Sequence, residues 1–181
     1  MWAQSAECLD LIPKDTFSVP LWYVLYTRSR HEKKVHEYLM ERGLENFLPL
    51  RTISRRWSDR VKKMQEPLFK GYVFVKIAIE NKLDVLGVDG VVGFVSKKGR
   101  AIPVPEQQLM IVKEFIEKQI SIDPYPYLHC GQYVRVTRGI LKGMEGILVT
   151  KLGHCRLVIS IDSLCQSISV EIDAEDVQPL D

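Results

Sequence analysis

Gly131-Gln132-Tyr133-Val134-Arg135-Val136-Thr137-Arg138-Gly139-Ile140-Leu141-Lys142-Gly143-Met144-Glu145-Gly146 decides how the C-terminal part of the chain folds. It reads as a strand, a glycine-punctuated loop and a second strand opened by glycine. Glycines at 139, 143 and 146 permit the positive φ of a tight loop joining two strands. Short strands are predicted over Tyr133–Val136, Gly146–Lys151, Arg156–Ile161 and Ser167–Ile172, with a last one near Val177. Turns at Gly153 and Asp162-Ser163 separate them. Closely spaced strands over so short a stretch predict a small β-barrel.

Immediately upstream, Ser121-Ile122-Asp123-Pro124-Tyr125-Pro126-Tyr127 cannot be helix interior, because prolines alternate in it. It is expected to be a stiff linker. Before it the chain mixes elements. Trp22-Tyr23-Val24-Leu25-Tyr26 reads as a buried strand. Ser29 with Glu32 forms a capping-box pattern, so a helix is expected from about Arg30 to Arg42, with Val35, Tyr38 and Leu39 on its apolar face and Gly43 as its stop. A brief strand from Asn46 to Pro49 follows. Ser58-Asp59 would then turn a hairpin over Arg51–Gln65, before a strong strand from Leu68 to Ile77. A short helix over Asn81–Leu86 and a strand over Val91–Val95 lead to a turn at Lys98-Gly99. The last helix starts at Pro105 and runs to Gln119, with Leu109, Val112 and Ile116 on its buried side. Helices stacked on one antiparallel sheet, an α+β arrangement, are the expected outcome.

The chain has 181 residues and a net charge of +2, unevenly placed. Trp22–Lys70 holds 12 lysines and arginines against 6 acids, whereas Leu128–Asp181 holds 5 against 7. A basic first half beside a mildly acidic second half implies a division of labour. No apolar run approaches the ~20 residues of a membrane span. Residues 1–20, which include Glu7, Asp10, Lys14 and Asp15, lack the basic start and apolar run of a secretory signal and are expected to form a tail. A cytoplasmic protein with reduced thiols is therefore expected. His129-Cys130 and His154-Cys155 are the one pattern that invites a metal; adjacent strand residues point to opposite faces, so no metal site and no cofactor are expected. The four histidines form no nucleophile–base pattern, and Gly87-x-x-Gly90 lacks the strand-to-helix context of a phosphate loop, so no enzymatic activity is expected. The acids Glu171, Asp173, Glu175 and Asp176 read as a solvated strand edge.

Two motifs point to a known family. The stretch from Gly131 to Gly146 closely resembles the KOW signature. Trp22-Tyr23 opening the first strand, together with Pro67-Leu68-Phe69-Lys70-Gly71-Tyr72-Val73-Phe74-Val75, resembles the N-terminal domain of NusG transcription elongation factors, whose central strand reads P-x-F-x-G-Y-x-F-V. They occur in family order and spacing. The resemblance implies an N-terminal α/β sandwich of the NGN type over residues 21–119, a linker over 120–127 and a KOW β-barrel over 128–181, with residues 1–20 outside it.

It also implies partners. In the family the first domain sits on RNA polymerase and holds the tip of the clamp helices of the largest subunit in a hydrophobic depression. By motif position, Tyr26, Phe69, Tyr72 and Phe74 would line it; ordinary core packing is the alternative, above all for Phe74. Tyr72 and Phe74 share one strand face and Val73 and Val75 the other. In the hairpin, Arg51, Arg55, Arg56, Arg60, Lys62 and Lys63 surround Trp57 with only Asp59 opposing, which suits single-stranded nucleic acid: charges follow phosphates and the ring stacks on a base. Arg28, Arg30, Lys33 and Lys34 would extend that surface along the first helix. Family placement makes non-template DNA or nascent RNA the expected strand; a solvated hairpin with Trp57 packed beneath it is the alternative.

The KOW loop, Ile140, Leu141 and Lys142, would meet a ribosomal small-subunit protein or Rho. Housekeeping members, however, carry Gly-Pro-Phe where Gly139-Ile140-Leu141 stands and a glycine-arginine turn where Ser163-Leu164-Cys165-Gln166 stands. With Arg28-Ser29-Arg30-His31-Glu32-Lys33-Lys34, these departures resemble the specialised UpxY, RfaH and LoaP groups, which promote antitermination in long operons. The expected function is an operon-specific antiterminator acting as a monomer; a housekeeping factor and an RNA- or ribosome-binding KOW protein are the alternatives. The glycines and the many Val and Ile of Gly131–Asp173 disfavour a helical hairpin, at about 1 kcal/mol per glycine, so β-structure is expected in the free chain.

Overall fold

The structure, a computed structural model, describes residues 18–56, 61–125, 131–151 and 154–180. Its centre is β1 (Leu21–Thr27), whose alternating apolar residues serve two faces. A short β2 (Asn46–Phe47) and β5 (Tyr72–Ile77) lie to one side and β6 (Val91–Phe94) to the other, in the order β2-β5-β1-β6; β9 (Pro103–Val104) also pairs with β1. All these pairings are antiparallel. Helix α1 (Glu32–Glu41) packs on the face that carries Tyr23, Leu25, Val73 and Val75. The opposite face presents Trp22, Val24 and Phe74 to α3 (Glu106–Glu117), which contributes Leu109, Val112 and Phe115. A five-residue α2 (Lys82–Leu86) precedes β6.

The basic segment is a two-stranded ribbon, β3 (Leu50–Arg56) against β4 (Val61–Pro67), which among the described residues pair only with each other. A smaller hairpin, β7 (Ser96–Lys97) and β8 (Arg100–Ala101), turns at Lys98-Gly99 with φ of 51° and 76°. Positive φ at both central residues is what a tight hairpin turn demands.

The C-terminal residues form one six-stranded sheet in the order β10-β14-β13-β12-β11-β15. Its members are β10 (Ile122–Tyr125), β11 (Gln132–Val136), β12 (Glu145–Lys151), β13 (His154–Ile161), β14 (Gln166–Glu171) and β15 (Val177–Pro179). The expected β-structure holds here. Two details of the sequence reading change. Residues 122–125, read as linker, are an edge strand in register with β14, Ile122 opposite Val170 and Tyr125 opposite Ser167. Pro124 is tolerated because an edge strand has one side free of the ladder. Gly146 is not needed for a positive φ, which Gly139 (75°) and Gly143 (88°) do show. A Cβ on Gly146 would sit 2.6 Å from the Val158 carbonyl oxygen, so close approach of β13 excludes a side chain.

The two sheets share a core. Trp22, Phe69, Phe74 and Phe115 belong to the same buried cluster as Ile122, Val134, Leu141, Leu157 and Ile168. Arg51 of β3 meets Asp123 of β10 at 3.0 Å, and Lys118 Nζ donates to the Ile140 carbonyl at 3.3 Å. The C-terminal sheet is thus docked on the α3 side of the first sheet.

Candidate docking face and nucleic-acid interface

Antiparallel register builds the aromatic row. Tyr26 stands opposite Tyr72, and Val24 opposite Phe74, which is itself opposite Phe47 of β2. The Tyr26 and Tyr72 rings lie 5.7 Å apart, and Phe74 is 6.1 Å from both Phe47 and Phe69. The four residues singled out in the sequence are therefore neighbours on one side of the sheet. Their exposure divides them. Tyr26 is 49% exposed and Tyr72 half-buried, whereas Phe69 and Phe74 are buried in the cluster shared with the C-terminal sheet. Further along the same face, Lys113 Nζ lies 4.7 Å from the centre of the Trp22 ring, and the Trp22 indole N–H donates to Glu106 at 3.4 Å. Lys76 and then Trp22 hold the Glu106 carboxyl below its ordinary range by hydrogen bonding.

The turn that introduces β5 is closely specified. The Tyr72 N–H reaches the Phe69 carbonyl at 3.4 Å, and Gly71 has φ of 83°. A positive φ at the third position of such a turn requires glycine in practice. Helix α1 starts differently from expectation. Its N-cap is His31, with no side-chain cap bond, and Arg30 just before it has φ of 64°. Glu32 does not close a capping box with Ser29. Its buried carboxylate instead accepts the Gly71 N–H at 2.7 Å.

The basic residues are more tied than the sequence implies. Asp89 pairs with Arg28 and Lys34, each at 3.4 Å, and Lys33 Nζ donates to the Gln65 carbonyl at 2.9 Å. A hydrogen bond to Tyr38, then one to Asp89, raise the Lys34 pKa. Arg30 is exposed. In the ribbon, Arg51 is partly buried between Asp123 (3.0 Å) and Glu66 (3.7 Å), its Nε without a partner. Arg55 and Arg56 pair through the backbone with Lys62 and Val61, and Lys63 with Ser54. Strand alternation puts Arg56 and Lys63 on one face of the ribbon and Arg51 and Lys62 on the other, so positive charge lies on both sides. Trp57 and Arg60 lie outside the described residues. In the KOW loop, Ile140 and Lys142 are exposed while Leu141 is buried in the shared cluster.

Sequence reading missed Asp123 and Arg156. Asp123 accepts from Arg51 and also from Arg156 Nη1 at 3.4 Å, which in turn donates to Ser169 Oγ at 3.0 Å. Only the isolated acid just before Pro124 could have flagged it. Among the described residues no helix is long and apolar enough to cross a membrane.

A helix-flanked antiparallel sheet with an aromatic row and a basic ribbon, joined to a small all-β unit, defines a two-part class of α+β protein. The family model described as transcription termination factor NusG matches residues 20–113, and the chain belongs to this family of transcription factors. It is 26% identical over 176 residues to the transcription termination/antitermination protein NusG of Lactococcus lactis subsp. lactis, covering 88% of this chain and 92% of that one. The protein of the same name from Streptococcus pyogenes serotype M1 is 30% identical over 141 residues, 71% of this chain and 79% of the relative. A solved structure described as domain interaction in Thermotoga maritima NusG shares the fold, with a TM-score of 0.54 at 20% identity over 90% of this chain and 98% of that one.

Proposed function

We propose that the chain is an elongation and antitermination factor that docks on RNA polymerase through the sheet face carrying Tyr26, Phe69, Tyr72 and Phe74, the clamp helices being the element gripped. The observation that carries this reading is the contiguous aromatic row, large enough and central enough to act as an anchor cluster. Phe69 and Phe74 are buried in a cluster that runs on through α3 into the C-terminal sheet, and we take docking to draw on a state in which that sheet has moved away. In that state Leu141, buried in the same cluster, would join the already exposed Ile140 and Lys142 as surface for a ribosomal protein or Rho. The ribbon residues Arg55, Arg56, Lys62 and Lys63 would then meet the non-template strand or nascent RNA.

Operon-specific antitermination is favoured over a housekeeping role by the KOW loop, which lacks the family's phenylalanine, and by Cys165, which adopts φ of 49° within the turn where the housekeeping pattern has glycine and arginine. The test is retention of the full chain on purified core polymerase, with Tyr72→Ala as the variant, alongside transcription through a terminator with and without the gene's own leader. Retention lost in Tyr72→Ala supports the reading; RNA binding without polymerase retention refutes it. Arg55, Arg56 and Arg60 changed together to Glu should weaken the effect on elongation while polymerase retention survives. Unchanged crosslinking to the non-template strand would count against the ribbon's role.

A further inference from the structure

Burial of a carboxylate is costly unless its oxygens are bonded. Glu32 is 6% exposed at the first position of α1, where a carboxylate is also favoured by the helix dipole. It does not cap its own helix; its Oε1 reaches across to β5 and accepts the N–H of Gly71 at 2.7 Å. Gly71 is held from the other side as well, its carbonyl accepting the Thr27 N–H at 2.8 Å. It occupies the third position of the Phe69–Tyr72 turn, where the peptide N–H points away from the turn's own hydrogen bond and needs an outside acceptor. The Tyr26 ring lies against this residue, 3.5 Å from where a Cβ would stand. One peptide unit therefore sets three aromatic side chains: Phe69 before the turn, Tyr72 after it and Tyr26 over it.

From this geometry we infer that Glu32 is a positioning residue for the docking face. It fixes the Phe69–Tyr72 turn from the opposite side of the sheet, and touches no partner itself. The inference rests on the docking reading above and adds to it a residue outside the aromatic row. Glutamine can keep the acceptor; alanine leaves the Gly71 N–H unpaired.

The experiment uses the full chain, with Glu32→Ala, Glu32→Gln and Tyr72→Ala titrated against core polymerase. In parallel, exchange of the Gly71 amide and the Tyr26 and Tyr72 ring resonances are followed by NMR. The expected result is a roughly tenfold loss of affinity in Glu32→Ala, the effect of one missing charge-assisted hydrogen bond, with faster Gly71 exchange and displaced tyrosine resonances. Glu32→Gln should restore most of both. If Tyr72→Ala loses binding while Glu32→Ala binds as wild type, docking stands and the positioning role falls. If Tyr72→Ala keeps wild-type affinity, the docking reading falls and takes this role with it. Should Glu32→Ala fail to fold, a Glu32→Gln protein with normal Gly71 protection but tenfold weaker binding would overturn the assignment.

Discussion

Removing Asp123 should open the molecule. Its carboxylate ties three elements: Oδ1 meets Arg51 of β3 at 3.0 Å, and Oδ2 meets Arg156 of β13 at 3.4 Å. Only the first of these joins the ribbon to the C-terminal sheet; the second ties the edge strand β10 to β13 of its own sheet. The Asp123 side chain is 47% exposed, so neither pair has the strength of a buried one. Each is worth about 0.5 kcal/mol; the Arg156 pair survives opening, so Asp123→Ala should cost the closed state about 0.5 kcal/mol relative to the open one. That moves the ratio of open to closed molecules about twofold. Apparent affinity scales with the competent fraction, so the apparent Kd for core polymerase should fall by about the same factor while the closed form dominates. The assay is a binding titration of full-length wild type and Asp123→Ala against core polymerase without nucleic acid, at low and high salt. Arg51→Ala and the double variant complete a cycle. The gain should shrink at high salt, because screening already weakens the pairs in the wild type. Equal affinity of Asp123→Ala and wild type at low salt would refute the claim that this contact restrains docking.

Gly146→Ala should lower the thermal midpoint, at a cost of about 1–3 kcal/mol, because its Cβ would meet the Val158 carbonyl at 2.6 Å and the backbone must shift. Cys165→Gly should raise the midpoint by relieving φ of 49°, a gain of about 0.5–1 kcal/mol once the greater freedom of glycine in the unfolded chain is offset. Glu106 titrates below the ordinary carboxylate range because Lys76 and Trp22 hydrogen-bond its ionised form. Its contribution to stability is present above the unfolded pKa and is lost as the pH falls through the lowered folded value. Lys76→Ala should return the Glu106 midpoint towards the ordinary value in an NMR titration.

Local pattern made most elements legible. Short runs of aromatic and β-branched residues marked β1 and β5, and the spacing of Val35 and Leu39 marked α1. Errors arose where a distant partner outbid a local one. Ser29 and Glu32 satisfy the capping-box pattern, yet the Gly71 N–H, 39 residues away, holds the Glu32 carboxylate. The prolines of 121–127 rule out helix but cannot announce β14 as a pairing partner, since edge-strand pairing depends on a surface built later in the chain.

The candidate site divides in the same way. Motif position named Tyr26, Phe69, Tyr72 and Phe74, and alternation put Tyr72 and Phe74 on one face; the register that brings Tyr26 to Tyr72 and adds Phe47 opposite Phe74 is seen only in the structure. The accessibility of the row could not be read from pattern either, because Phe69 and Phe74 are buried in a cluster that takes in α3 and residues of the C-terminal sheet. Leu141 illustrates the point. As the apolar residue of an exposed glycine-rich loop it reads as a contact for a partner, and in the closed chain it lies in the same cluster as Phe69 and Phe74. Apolar surface suited to binding a partner is equally suited to burial against another such surface on the same chain, since the driving force is non-directional. On the proposed reading each sheet competes with the other's partner. If both partners bind only the open chain, polymerase docking should raise the affinity of the KOW loop for its own partner, and the reverse, by the same factor. Measuring that factor from both directions on the full chain tests the closure: independent binding would mean that Phe69, Phe74 and Leu141 are not masked together in solution.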